Sequence, residues 1–389
     1  MKPDALLFIG NLRERGGGLA VGLWTAQALA ERYRVTIVSW APADLAMLDA
    51  TYGTRLAKLS NLEVIHAPAW LRRLFRLSAG RLVLLKSMLL MRIAQRLVRH
   101  REPAVIVSTS NETDLKRPLL QYIHFPWLYW PRPDTDLRWY HHSLLVLAYR
   151  KLCRIIGNYD PERVRQNTTL ANSHWTASLY RQWYGQEADT LHPPAVIPDG
   201  AMDWAARKQA VVCLGRISRE KRQLDVIEIV RRLRARGHGL ELYICGFSQD
   251  RDYLQQIQEK AARVGSWVKL HLDLPRAEML TIAGECRYGI HAMVDEHFGI
   301  VVAEMLQLGV LPFVHESGGA AAIVEDKRLL WDNEETAVER VAACLEGPDH
   351  LASLRRHCEQ RAQAYSHRHF MDSILTYARQ LETETSKFS

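Results

Sequence analysis

The sequence contains no run of about eighteen uncharged apolar residues, so no segment reads as spanning a bilayer. The stretch from Met1 to Gly10 lacks a basic start and a cleavage site, and reads as a strand entering a fold rather than a secretory leader. Cysteine is sparse: Cys153, Cys213, Cys245, Cys286, Cys344 and Cys358 form no C-x-x-C pair, which suits reduced, buried thiols in a cytoplasmic protein rather than disulfides or zinc. His141-His142 and the pair His367 and His369 lack partner ligands, so no metal is expected. No Walker-type loop, no Ser–His–Asp order and no low-complexity stretch is found. Acidic residues are in deficit, 43 against 51 lysines and arginines, for a formal charge of +8. That surplus favours an anionic partner but does not choose among nucleic acid, a phosphorylated small molecule and an acidic membrane.

What is present is apolar and periodic. At 389 residues and 48% apolar content, the chain is long enough for two α/β domains with real cores. Strands are expected at Ala5–Gly10, Val35–Trp40, Val105–Ser108, Gln121–Phe125 and Thr169–Ser173. A second set is expected at Val211–Gly215, Glu241–Gly246, Val268–Leu272, Tyr288–Met293 and Leu311–His315. Helical patterns fall between them, among others at Leu19–Arg32, Arg222–Arg236, Arg251–Val264 and Val301–Leu308. Continuous apolar strands separated by amphipathic helices imply parallel sheets covered on both faces. The fold class is therefore α/β with two Rossmann-like, doubly wound domains. Three prolines and a glycine in His192-Pro-Pro-Ala-Val-Ile-Pro-Asp-Gly200 mark the boundary. The expected division is 1–195, 196–365, and a C-terminal helix within 366–389 able to pack back on the first domain. Ligands of open α/β sheets bind at the carboxyl ends of strands, so an active site is expected in a cleft between facing domains.

Four motifs carry chemistry. Glu296-His-Phe-Gly-Ile-Val-Val-Ala-Glu304 follows a strand and opens a helix. Gly299 permits close backbone approach there, and the amides of residues 298–301 form an anion site suited to a diphosphate. His297, Phe298, Ile300 and Val301 flank that glycine. Glu304, one turn past Ile300, is expected to face the same cleft, and Glu296 to accept hydrogen bonds from sugar hydroxyls. Leu214-Gly-Arg-Ile-Ser-Arg-Glu-Lys-Arg222 follows the first strand of the second set. Its Arg216 and Lys221 would neutralise a diphosphate and the charge growing on a leaving group. Gly16-Gly17-Gly18 precedes the first helix and permits close approach of a substrate, although it lacks the spaced dinucleotide signature. Tyr122-Ile-His-Phe-Pro126 ends a strand and presents His124. The glycines of His315-Glu-Ser-Gly-Gly319 end another strand near the expected donor pocket.

With these motifs the sequence resembles a family-4 retaining glycosyltransferase of GT-B architecture, most strongly from about Val211 to Asp326. Glu296 and Glu304 match the family's E-x7-E motif, and Arg216 with Lys221 matches its basic pair. The resemblance implies donor-sugar contacts at Glu296, ribose contacts at Glu304, diphosphate contacts at the basic pair, and an acceptor-binding first domain. Gly17 and Gly18 fall at the family's N-terminal glycine loop, and His124 at its cleft histidine. The strings around His124, Ala171-Asn-Ser-His-Trp-Thr176 and Glu296-His-Phe-Gly-Ile300 are most similar to the family's endoplasmic-reticulum α-1,2-mannosyltransferases acting on dolichol-linked oligosaccharide. That implies GDP-mannose as donor, a glycan or lipid-linked acceptor, and no metal cofactor. One departure is Ala320, where many relatives carry proline.

Other readings remain open at this point. Asp134-Thr-Asp136 resembles the metal-binding D-x-D of a different glycosyltransferase fold but lies in a Trp/Pro-rich loop. The stretch 69–100 mixes eight cations with Leu, Met, Val and Trp. It reads either as an ordinary two-sided helix or as a peripheral contact with an anionic membrane on its cytoplasmic face. Nucleic acid is not expected, because no recognised module accompanies the charge. Alternatives to a mannosyltransferase are a UDP-sugar-dependent enzyme of the same fold, a nucleotide-sugar epimerase, and a non-catalytic membrane-surface protein.

Overall fold

The computed structural model describes residues 2–14, 16–76, 82–129, 144–197 and 202–386. Asp134, Asp136, His141 and His142 lie outside the described residues. The chain divides into two compact units, one built from residues up to Pro193 together with the segment from Arg368 onward, the other spanning Pro194–His367.

In the first unit the order is β1 (Asp4–Phe8), α1 (Gly17–Arg32), β2 (Arg34–Ser39), α2 (Leu45–Tyr52), β3 (Leu62–His66), α3 (Ala69–Arg76) and α4 (Val83–Arg101). It continues through β4 (Val105–Ser108), β5 (Leu120–Ile123), α5 (Leu144–Gly157), α6 (Pro161–Val164), β6 (Thr168–Ala171), α7 (His174–Tyr184) and β7 (Asp189–Thr190). Among the described residues the strands form one sheet ordered β3-β2-β1-β4-β5-β6-β7, with every pairing parallel. Parallel neighbours need crossovers, and the helices supply them. β1, β4 and β5 are buried almost throughout, as strands covered on both faces must be. The sequence reading lacks β3. It is an edge strand whose residues are only partly buried, so its apolar signal is diluted by Glu63.

The second unit runs β8 (Lys208–Leu214), α8 (Gln223–Ala235), β9 (Glu241–Gly246), α9 (Arg251–Val264), β10 (Val268–Leu272), α10 (Arg276–Gly284) and β11 (Cys286–His291). It ends with α11 (Ile300–Gln307), β12 (Leu311–His315), α12 (Ala321–Val324), β13 (Leu330–Trp331), α13 (Glu334–Glu346), α14 (Pro348–Ala362) and the start of α15 (His367–Ser386). Its sheet is ordered β10-β9-β8-β11-β12-β13, again all parallel. Alternate residues of β8 feed two separate cores: Val211 and Cys213 one, Ala210, Val212 and Leu214 the other. This is the period-two geometry of a strand buried on both sides.

Beyond His367, α15 belongs to the first unit. Phe370 packs edge-on to Tyr122 at 6.2 Å between centroids, Tyr377 Oη donates to Asp189 at 2.9 Å, and Tyr33 Oη donates to Glu382 at 2.9 Å. All six cysteines are buried and unbridged. Burial pushes the thiols of Cys213 and Cys245 up to about 12.

The stretch 69–100 proves to be two helices of different character. α4 buries Leu84, Met88, Leu90, Met91, Ala94 and Val98 and is a core helix. α3 buries only Leu71 and Phe75, leaving Trp70 and Leu74 exposed. The apolar residues of α4 pack into the first-unit core with sheet residues and α5, so among the described residues of this stretch α3 holds the exposed large apolar side chains together with Val83 at the start of α4. Among the described residues no helix is long and apolar enough to cross a membrane.

Candidate active site

The loop after β8 is held in place by backbone geometry. Gly215 has φ +130°, its N–H donates to Cys245 O at 3.0 Å, and Ile217 N–H donates to Phe247 O at 2.8 Å. Gly246 has no space for a side chain because the Gly215 carbonyl occupies it. The loop is thus clamped to the end of β9. A Cβ on Gly215 would lie 3.7 Å from Val301 Cγ1, so the loop also abuts the start of α11.

α11 opens with Gly299 at φ +92° and with no side chain capping it. A side chain at 299 would meet Ala320 Cβ at 2.9 Å. The segment before it is bound to the loop after β12: Glu296 bridges Gly318, and Gly319 N–H donates to Glu296 O at 2.6 Å. At Gly318, with φ +80°, a Cβ would sit 2.5 Å from Glu296 O. Both glycines are therefore required by close approach as well as by a left-handed backbone. Ser317 Oγ completes the junction by accepting from Asp295 N–H at 2.8 Å.

Three charged or titratable side chains meet here. Lys221 Nζ forms an ion pair with Glu296 Oε2, and His291 Nε2 lies 3.1 Å from the same oxygen. His291 ends β11 and is buried; Lys221 and Glu296 are nearly so. Burial alone would raise the Glu296 pKa, but the His291 hydrogen bond and the Lys221 charge outweigh it and hold the carboxylate well below its usual range. Burial lowers the His291 pKa against the opposing pull of Glu296. The consistent state is a neutral imidazole donating Nε2–H to an ionised carboxylate. Such a preorganised set offers a fixed negative oxygen and a fixed ammonium to a polar ligand. Sequence reasoning missed His291. Its signal was the position five residues before Glu296 at a strand end.

The other expected donor residues separate. Arg216 is exposed and paired with Glu220 at 2.5 Å, whereas Lys221 is paired with Glu296. His297 is half-buried. Phe298 is buried and its ring packs 6.0 Å from Tyr365, so only its backbone amide remains for the expected anion site. Glu304 does not face an open cleft: it is fully buried and ion-paired with Arg276 at the start of α10. The reason is that α11 is apolar and enclosed, with Val302, Ala303, Met305 and Leu306 all buried. A carboxylate on such a helix needs an internal counterion. Arg276 was not among the expected residues.

In the first unit, Gly18 and His124 are neighbours: a Cβ on Gly18 would lie 3.6 Å from His124 Nε2. Gly17 is the first residue of α1. Both Gly18 and His124 line a cavity of about 550 Å³ with Asn11, Lys86, Thr109 and Trp127. His124 N–H and Phe125 N–H donate to Asn111 Oδ1 at 2.6 and 3.1 Å, and Asn172 Nδ2 donates to His124 O at 3.1 Å. His124 Nε2 lies 3.2 Å from Thr109 O, a contact that requires the proton on Nε2. Ser173 caps α7 by accepting from Thr176 N–H at 3.1 Å. The string Ala171–Thr176 thus supports His124 and starts a helix. Among the described residues no group of three or more His, Cys, Asp or Glu side chains is placed to hold a metal.

Residues 202–365 match the family model described as Glycosyl transferases group 1. The match falls within the second unit and covers less than half of the chain. Curated relatives named GDP-Man:Man(3)GlcNAc(2)-PP-Dol alpha-1,2-mannosyltransferase include that of Debaryomyces hansenii, 22% identical over 58% of this chain and 42% of its own length. That of Dictyostelium discoideum is 22% identical over 60% of this chain and 50% of its own. The chain therefore spans half or less of these two relatives. Among solved structures, Anabaena HepE in complex with UDP aligns with a TM-score of 0.67 at 15% identity, covering 97% of this chain and 100% of that one. A glycosyltransferase from Rickettsia africae aligns at 0.67 and 12% identity, covering 98% of each. The fold is GT-B.

Proposed function

We propose that this protein is a retaining glycosyltransferase that takes mannose from GDP-mannose and joins it in α linkage to a glycan or lipid-linked acceptor. The observation that carries the reading is the Lys221–Glu296–His291 cluster beside the glycine-opened start of α11. The choice of donor rests on the printed names of the curated relatives.

In this reading the diphosphate lies against Arg216, Lys221 and the first amides of α11, so its charge is met without a metal. Glu296 orients the sugar through its hydroxyls, and His291 fixes Glu296. Glu304 takes the ribose, which requires Arg276 to share or release its carboxylate. The acceptor occupies the first-unit cavity lined by Gly18 and His124. Its hydroxyl attacks the anomeric carbon from the face the leaving group vacates. The new carbon–oxygen bond forms as the bond to the diphosphate breaks, and a phosphate oxygen takes the hydroxyl proton, so configuration is retained. A lipid-linked acceptor would bring the chain, as a peripheral protein, to the cytoplasmic face of a membrane.

A UDP-sugar donor is the second reading, favoured by the likeness to HepE bound to UDP. A donor panel separates the two. Purified protein is given GDP-mannose, UDP-glucose, UDP-N-acetylglucosamine or UDP-galactose, and nucleotide release is followed with and without a lipid extract. GDP release stimulated by lipid is expected. Release from a UDP sugar alone would replace the donor, and silence from all donors with no binding by calorimetry would favour a non-catalytic protein.

A further inference from the structure

α5 presents an exposed apolar band. Its inner side carries Cys153 and Gly157. A Cβ on Gly157 would lie 2.7 Å from Met88 Sδ, so the glycine lets α5 lie directly on α4. The outer side carries Leu144 at 80%, Leu145 at 81%, Leu152 at 54% and Ile155 at 68% exposure. At 100° per residue, these four project within about one third of the helix circumference. Four large apolar side chains on one exposed face exceed the scattered exposure of an ordinary surface.

The charge on α5 itself has one sign, while the adjoining cavity adds Asp160, which is paired with Arg163. α5 contains Arg150, Lys151 and Arg154 and no acidic residue. These three line a cavity of about 850 Å³ together with Leu147, Ile155 and Arg163. Arg163 is held by Asp114 at 2.9 Å and by Asp160 at 2.9 Å, and Arg150 donates to Leu128 O at 2.9 Å. Lys151 and Arg154 are exposed and form no ion pair among the described residues. α3, which packs on the same core cluster through Leu71 and Phe75, likewise carries Arg72, Arg73 and Arg76 with no acid.

We propose that α5 is a docking surface for an anionic phospholipid membrane. Leu144, Leu145, Leu152 and Ile155 enter the headgroup–acyl boundary while Lys151 and Arg154 hold lipid phosphates at the mouth of the cavity. An apolar band flanked by cations matches the interfacial boundary, where apolar depth and negative headgroups lie side by side. A second copy fits less well. A two-fold contact sets the same patch against itself, so the cations of each α5 would face those of the other. The inference concerns lipid, and stands or falls separately from the identity of the sugar donor.

The test is sedimentation of the full chain with vesicles of phosphatidylcholine, with or without phosphatidylglycerol, in the absence of any donor. Binding to the phosphatidylglycerol vesicles alone is expected, weakening as salt is raised. Lys151→Ala with Arg154→Ala should lower the partition coefficient about thirtyfold. Leu152→Ser with Ile155→Ser should lower it comparably. Both pairs are exposed, so circular dichroism and Tm should match the parent. Partition of either variant equal to the parent's, or no binding to any vesicle, would overturn the proposal. A dimer in ultracentrifugation that Leu152→Ser with Ile155→Ser dissociates would also overturn it, by giving the band to a second copy.

Discussion

The two units share an architecture and differ in how their strand ends are furnished. At the ends of β11 and β12 in the second unit, oppositely charged groups are buried together and locked by two glycines in left-handed conformations. At the ends of β4 and β5 in the first unit, a histidine is held by neutral amides and carbonyls beside an open cavity. A site that neutralises a diphosphate requires fixed charge, whereas a site that admits a neutral hydroxyl requires shape and a few polar anchors. The difference therefore suits a division of labour between donor and acceptor.

The sharpest way to break this comparison is to disturb the lock on the charged side. Gly318→Val sets a Cβ against the Glu296 backbone and leaves a branched residue at φ +80°. It should cost about 3 kcal/mol of second-unit stability in urea unfolding and abolish turnover. Parent-like stability would show that the two loops are not coupled. His124→Ala should act differently, lowering kcat at saturating donor roughly tenfold while leaving donor affinity by calorimetry unchanged. A loss of donor affinity would move His124 to the donor side.

The pH dependence sharpens the same contrast. Both cluster pKa values are displaced downward, His291 from 6.5 and Glu296 from 4.5. A lowered value means the folded state binds fewer protons, so this stabilisation is complete above the ordinary value and is lost as pH falls below it. The second unit should thus lose stability on acidification from about pH 6.5 downward, by at most about 1.4 kcal/mol per pH unit for each group. His291→Asn should remove the portion between 6.5 and the carboxylate range. An unchanged slope in that variant, followed by denaturant unfolding at several pH values, would dissociate His291 from the effect. The smallest effect is expected at the exposed Arg216, where Arg216→Ala should raise the donor KM a few-fold and leave stability unaltered.

Much of the fold was legible because both sheets are parallel and buried, and their strands read as short branched runs between amphipathic helices. β3 was not, being a half-exposed edge strand. β7 and β13 were not, being two residues long. In the site, Glu296, Lys221 and Gly299 announced themselves by spacing and residue type. The partner that holds each carboxylate did not. His291 reaches Glu296 from a different element, and Arg276 reaches Glu304 from another helix. Arg276 leaves no local pattern, because tertiary packing creates its contact, and the only trace of His291 is its place at a strand end five residues before Glu296. Burial of Glu304 was misread for the same reason. One carboxylate on an apolar helix suggests a polar face until its neighbours are shown to enclose it. Of the two readings of 69–100, the sequence could not apportion the apolar residues between core and surface, because cations recur along α4 between residues that the core takes.

The most direct test of the account is GDP release from GDP-mannose by Lys221→Met, Glu296→Gln and the double variant, each compared with the parent. If the three side chains form one preorganised device, each single change should lower the rate about a hundredfold or more, and the double should fall no further than the worse single. Parent-like rates for the singles, or losses that multiply in the double, would contradict it.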